Sequence, residues 1–165
     1  MITPHRGALE RDVHVWRVVA RDQAAEAFTA SRNPRPGRWC GADPRVVYVS
    51  DSPGGAVLEF LAHADPGEVP ALSLVQGRVP ADAVEAVGTL PADWAAVPYR
   101  PAVQAIGDAW AAAGRSYALR VPSAVCPGVD NLLLNCAHAN AGQFVTVSHV
   151  DFVLDARLAK QDAAR

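Results

Sequence analysis

The sequence predicts a mixed α+β fold, and three observations carry that prediction. Short runs rich in β-branched and aromatic residues recur along the chain, as at 45–50, 72–79 and 116–121, with turn-forming residues between them. Two other stretches, 53–63 and 91–114, set apolar residues at helical spacing. No fixed-period repeat, low-complexity tract or shift in composition divides the 165 residues. They are therefore read as one domain in which strands dominate and a few helices are set among them.

The first strand is predicted over 14–19, where Val15, Arg17 and Val19 share a face. An arginine on the same face as two valines is unusual. The alternative is a stem lying on apolar surface with its head in water, and the residues alone leave both open. A short helix is expected at 24–30 and a loop at 31–37, which holds two prolines together with Arg32 and Arg35. The strand at 45–50 puts Val46, Tyr48 and Ser50 on one face. Asp51-Ser52-Pro53 then starts a helix, because an oxygen-bearing side chain caps orphan N–H groups and proline lacks the N–H that would be unpaired at the first position.

On that helix Val57, Leu58, Phe60 and Leu61 are expected to form the apolar side. Glu59 falls three and four positions from Gly55, Ala56, Ala62 and His63, so its neighbours are mostly very small. A packed strand or a ligand can approach such a carboxylate closely, and spacing does not choose between them. Further strands are expected at 72–79 and 84–87, separated by the turn Pro80-Ala81-Asp82. The stretch 91–114 carries Trp94 and the stripe Val103, Ile106, Ala109, Trp110, Ala113, closed by Gly114. Strands at 116–121, 131–134, 144–147 and 152–154 complete the reading.

Composition narrows the function classes. A net charge of −2 with half the residues hydrophobic argues against disorder and against a nucleic-acid partner recruited by bulk charge. Cys40, Cys126 and Cys136 are odd in number and lack Cys-x-x-Cys spacing, which points to reduced thiols rather than a disulfide framework or a zinc knuckle. No apolar run approaches the roughly 20 residues of a membrane span, and the N-terminal residues do not resemble a signal peptide, so a cytoplasmic protein without a membrane partner is expected.

Six short motifs occur in order: Trp16-Arg17, Gly37-Arg38-Trp39, Val46-Val47-Tyr48-Val49-Ser50, Leu58-Glu59, Val121-Pro122-Ser123, and the run from Asn131 to Asn135. Together they resemble the RES domain family, the toxins of bacterial RES–Xre toxin–antitoxin pairs, over about 15–158 of the single domain 1–165. The resemblance implies an ADP-ribosyltransferase-like split β-sandwich that clasps NAD+, an Xre-type antitoxin as partner, and functional residues at Arg17, Arg38, Tyr48, Glu59 and Ser123. One position departs from the pattern: the family usually continues Gly-Arg-Trp with Asn, and here Cys40 stands in that place.

These residue types suit the implied chemistry. Loss of nicotinamide turns the ribose into an oxocarbenium-like cation, which a carboxylate opposes while holding ribose hydroxyls; Glu59 is the candidate. Guanidinium groups grip phosphate oxygens bidentately, so Arg17 and Arg38 are candidate pyrophosphate clamps. Tyr48 offers a flat platform for the nicotinamide ring. Ser123 offers a hydroxyl to phosphate, ribose or nucleophile, and its alternative is a turn serine bonded to nearby backbone. The expected catalytic set is Glu59, Arg38 and Ser123; NAD+ is a substrate, no metal is expected, and phosphate, water or a protein is the acceptor.

Other readings compete. A catalytically silent NAD or ADP-ribose binder, or a protein-interaction module, would use the loop of Arg32, Arg35 and Arg38. A serine hydrolase would use Ser123, His138 and Asp130, but no Gly-x-Ser-x-Gly elbow is present. A metal site would gather Cys136, His138, His149 and Asp151 without a recognisable ligand spacing. Gly54-Gly55 does not make a dinucleotide-binding fingerprint.

Overall fold

The computed structural model describes residues 12–30, 34–43, 45–64 and 71–158, and Arg32 lies outside them. Seven strands, β1 (Asp12–Ala20), β2 (Val46–Ser50), β3 (Leu72–Pro80), β4 (Val84–Ala86), β5 (Ala118–Pro122), β6 (Asp130–Asn135) and β7 (Val145–Phe152), form one mixed sheet. Its order is β4-β5-β6-β2-β1-β3-β7. Helices α1 (Pro53–His63) and α2 (Pro101–Ala113) follow β2 and β4.

The pairing is uneven along this order. β1 and β3 pair from Asp12↔Pro80 to Ala20↔Leu72, and β2 pairs with β6 over its whole length. Between those two ladders, β1 and β2 meet at a single pair, Trp16↔Ser50. The sheet is therefore two sub-sheets joined at one point, the split that the family resemblance implies.

Alternating strand residues build separate cores on the two faces. On one face Val15 and Val19 meet Val47, Val49, Val75, Val79, Leu132 and Leu134, with Phe28 and Tyr117 against them. The opposite face carries one cluster per sub-sheet. Val103, Trp110 and Ala111 of α2 cover Trp39, Val46, Leu119, Val121 and Leu133, while Ala56, Val57 and Phe60 of α1 cover Trp16, Val18, Leu72 and Leu74. Each fully buried Val, Leu or Phe contributes roughly 1.5–3 kcal/mol, so the first core ties the two halves together while each half also has a core of its own on the opposite face.

Several local expectations change. The buried residues of α1 are Gly55 and Ala56, whereas Leu58 is 38% exposed. A side chain at Gly55 would place its Cβ 2.4 Å from Ser50 Oγ and 2.8 Å from Val129, so only the smallest residue permits this approach. The helical part of 91–114 is confined to α2, with Pro101 in its first turn and Gly114 closing it at φ 58°. The expected helix at 24–30 is a 3-10 turn at Arg21–Glu26. The two strands expected at 144–147 and 152–154 are one, because β7 pairs with β3 continuously around a bulge at Gln76/Gly77. Among the described residues no helix is long and apolar enough to cross a membrane.

Candidate active site

Past the Trp16–Ser50 bridge the strands diverge, and a cleft of about 960 Å³ opens where Arg17 and Val18 leave Tyr48 and Val49. Arg38, Glu59, Tyr99 and Asn131 also line it.

Glu59 reaches this cleft because of how α1 begins. Ser52 Oγ accepts the Gly55 N–H at 3.0 Å, Pro53 occupies the first turn, and the glycine–alanine face lies on the sheet. Glu59 stands one turn further along that same face. Its Oε1 accepts hydrogen bonds from Ser123 Oγ at 2.8 Å and from Asn131 Nδ2 at 2.7 Å. Its Oε2 has no hydrogen-bond partner among the described residues.

Ser123 is 5% exposed. Its Oγ accepts the N–H groups of Val125 at 3.2 Å and Cys126 at 3.1 Å while donating its one proton to Glu59. The turn-serine alternative is the one the structure shows, and the proton expected to be offered to a ligand goes to Glu59 instead, so Ser123, fixed by its own turn, orients the carboxylate. The cleft wall beside it is formed by Ala124 and Val125.

Arg38 sits in a tight turn in which the Gly37 N–H donates to Cys40 O at 2.9 Å. Tyr48 lies under this turn. Its hydroxyl accepts the Trp39 N–H at 3.3 Å and contacts Cys40 Sγ at 3.1 Å, and a Cβ on Gly37 would come within 2.5 Å of it. Tyr48 lines the cleft with its hydroxyl engaged by the turn. Burial, with Cys40 adding to it, pushes the phenol far above its ordinary range, and burial likewise raises the Cys40 thiol, so both stay protonated.

The Arg38 side chain reaches a strap over residues 94–99. Its Nη1 donates to Trp94 O at 3.0 Å and Ala96 O at 2.8 Å, and the guanidinium lies 5.0 Å from the Tyr99 ring centroid. Trp39 stacks on Trp94 with centroids 5.5 Å apart. Arg38 makes no ion pair with a carboxylate among the described residues, so its charge stays available to an anion. The strap also meets α1: the Tyr99 hydroxyl lies 3.2 Å from His63 Nε2, and His63 Nδ1 donates to Glu59 O at 2.8 Å.

Arg17 enters from the other sub-sheet. It shares the core face with Val15 and Val19 as expected, and its Nη1 donates to Ala27 O. Burial lowers its pKa from the usual arginine value, with nearby Cys136 opposing. The serine-hydrolase arrangement is not formed, since Ser123 donates to Glu59 and His138 Nδ1 instead accepts the Asn140 N–H at 3.1 Å.

A family profile described as RES domain matches residues 14–155. The chain belongs to the RES domain family. Among curated relatives it is 34% identical over 128 residues to the Toxin Res of Photorhabdus laumondii, covering 75% of this chain and 82% of the relative. It is 33% identical over 135 residues to the Prs ADP-ribosylating toxin of a Sphingobium strain, covering 76% and 84%. Among solved structures it is similar to the M. tuberculosis MbcT–MbcA toxin–antitoxin complex, with a TM-score of 0.65 at 18% identity over 86% of this chain and 84% of that one. That last likeness establishes a shared fold.

As a RES domain the chain is of the toxin class, and its cleft is lined by a carboxylate with one oxygen fixed, Glu59, together with Arg17 and Arg38. Its volume lies at the upper end of the usual 300–1,000 Å³ for small-molecule pockets. All five expected residues belong to the cleft or directly support it. Two further residues of the cleft in this RES domain had no role in the sequence reading: Asn131, quoted there only as the start of a motif, and Tyr99. A polar residue opening the apolar run Leu132-Leu133-Leu134 was the available signal for Asn131. Tyr99, in an irregular strap, had none.

Proposed function

We propose that this RES-domain toxin binds NAD+ in the split-sheet cleft and breaks its nicotinamide–ribose bond. The observation that carries the reading is Glu59 with Oε1 engaged by Ser123 and Asn131 and Oε2 left for a ligand, on a cleft that Arg17 and Arg38 also line. The electron pair of the C1′–N bond leaves with the nicotinamide nitrogen, which loses its positive charge. The ribose then carries the positive charge, and Glu59 stabilises it. Arg38 and Arg17 hold the pyrophosphate, and Tyr48 flanks the nicotinamide. Water, inorganic phosphate or a protein nucleophile takes the ribosyl carbon.

The name of the Sphingobium relative supports ADP-ribosyl chemistry, and the assembly of the M. tuberculosis neighbour supports an antitoxin partner; the Xre type of that partner and its action in the cytoplasm are part of the proposal, taken from the family resemblance. The test is to incubate the purified protein with NAD+ and resolve the products by chromatography. Free nicotinamide is expected, with ADP-ribose if water is the acceptor, phosphorylated ADP-ribose if phosphate is, and label retained on protein if a side chain is. Absence of nicotinamide under all three conditions overturns the reading. Expression without an antitoxin should arrest bacterial growth.

A further inference from the structure

We infer that Asn131 is a positioning residue for Glu59, kept at the start of β6 for that contact and not for the stability of the sheet. The inference rests on the proposed reaction for its kinetic consequence, but its structural argument is independent. A carboxylate only accepts hydrogen bonds, so the Asn131 amide must turn its NH2 toward Glu59 Oε1, which fixes where its carbonyl oxygen goes. That oxygen, Oδ1, is buried with no hydrogen-bond partner and is the one such side-chain atom among the described residues. Asn131 itself is 7% exposed, beside three leucines that are fully buried.

A buried acceptor without a donor is unfavourable, and asparagine is a poor strand residue. Leucine here would extend the apolar run, occupy a similar volume and remove the orphan oxygen. The one thing leucine does not supply is the N–H to Glu59. A buried polar group that the fold would be better without points to a role at the site.

The surroundings fit that role. The register pairs Asn131 with Ser50, the last residue of β2 before the turn into α1. Ser123, the other donor to Oε1, follows β5, so the two donors come from the two ends of one β5–β6 connection. That connection is closed by the Ser123 N–H on Val129 O at 3.0 Å. It is tied to the start of α1 by the Asp130 N–H on Asp51 Oδ1 at 3.2 Å and by Arg120, which reaches Asp51 at 3.2 Å and Asp130 at 3.3 Å. Two donors on one oxygen fix the carboxylate plane and leave the same oxygen free in every molecule.

The test uses Asn131→Leu and Asn131→Asp beside the parent, measuring melting temperature, kcat and KM for nicotinamide release, and the pH profile. The leucine variant should melt at or above the parental temperature while kcat falls about 10²-fold with KM little changed, the scale of a misplaced catalytic group. The aspartate variant, of the same shape, should lose activity near neutral pH and regain part of it as the pH falls and the new carboxyl acquires a proton to donate. Parental kcat in a folded Asn131→Leu overturns the inference, as does a lowered melting temperature with kcat falling only in step with the folded fraction. If the parent releases no nicotinamide, the proposed reaction fails and melting decides the inference: a lower temperature for Asn131→Leu overturns it, an equal or higher one upholds it.

Discussion

Glu59 is held by side chains rooted in the sheet, whereas Arg38 is held by backbone carbonyls of a strap outside it. On the first wall both donors come from Ser123 and Asn131, which are nearly sealed from water, and one carboxylate oxygen has no freedom left. On the second wall the partners are neutral backbone carbonyls, and no carboxylate among the described residues pairs with the guanidinium. The difference separates two jobs. If the cleft works as proposed, the end where charge develops is aimed before the substrate arrives, while the end proposed to grip phosphates can adjust as they bind.

The sharpest way to break this contrast is Glu59→Gln, which keeps size and deletes charge. Nicotinamide release should lose roughly 10²–10³ in kcat with NAD+ affinity and melting temperature near parental. A fall in melting temperature that accounts for the lost activity would return Glu59 to a structural role. Arg38→Ala should act in the opposite column, raising KM by the equivalent of about 1.5–3 kcal/mol, with a smaller change in kcat. If kcat collapses at unchanged KM, the two walls do not divide the work as argued.

Gly37→Ala probes the second wall without touching its charge. The new Cβ would lie 2.5 Å from the Tyr48 hydroxyl, so the turn must shift, with a loss of about 1–3 kcal/mol of stability and a raised KM. Unchanged melting and kinetics would mean that the turn does not depend on Tyr48.

The smallest expected effect is on pH dependence. Burial raises the pKa of Cys40 and Tyr48 beneath the Arg38 turn, and of Cys136 and Tyr117 elsewhere. The folded chain therefore holds these protons when the unfolded chain has released them. Stability is complete below the ordinary thiol range, about 8.5, and declines as the pH rises above it. Thermal melting across that range should show the decline, and Cys40→Ala should flatten part of it. A flat parental profile would contradict the buried, protonated Cys40–Tyr48 pair.

How much of this was legible varies with the kind of signal. Asp51-Ser52-Pro53 announced the start of α1, with Ser52 proving to be the cap, since caps are local chemistry, and Gly114 closed α2 for the same reason. The buried side of α1 was misread because apolarity pointed to Leu58, whereas close approach to Ser50 selected Gly55 and Ala56. β7 was split in two because all but its last residue is exposed and Ser148-His149 breaks any burial pattern. Glu59, Arg17, Arg38, Tyr48 and Ser123 were found through ordered motifs, not through periodicity. That Ser123 and Asn131 converge on one carboxylate oxygen depends on pairing between β5, β6 and β2, which no local window contains.

The single pair that joins β1 to β2 has an effect on recognition itself. Beyond Trp16 and Ser50 the facing edges of the two strands carry N–H and C=O groups with no ladder to complete, and they border the cleft. A molecule with amide or hydroxyl groups bound in this cleft would meet main chain there, much as an added strand would. Contacts of that kind are the same whatever side chains the strands bear. A main-chain edge of that kind would be open to relatives that share only about a third of their aligned residues with this chain, and invisible to residue-by-residue comparison.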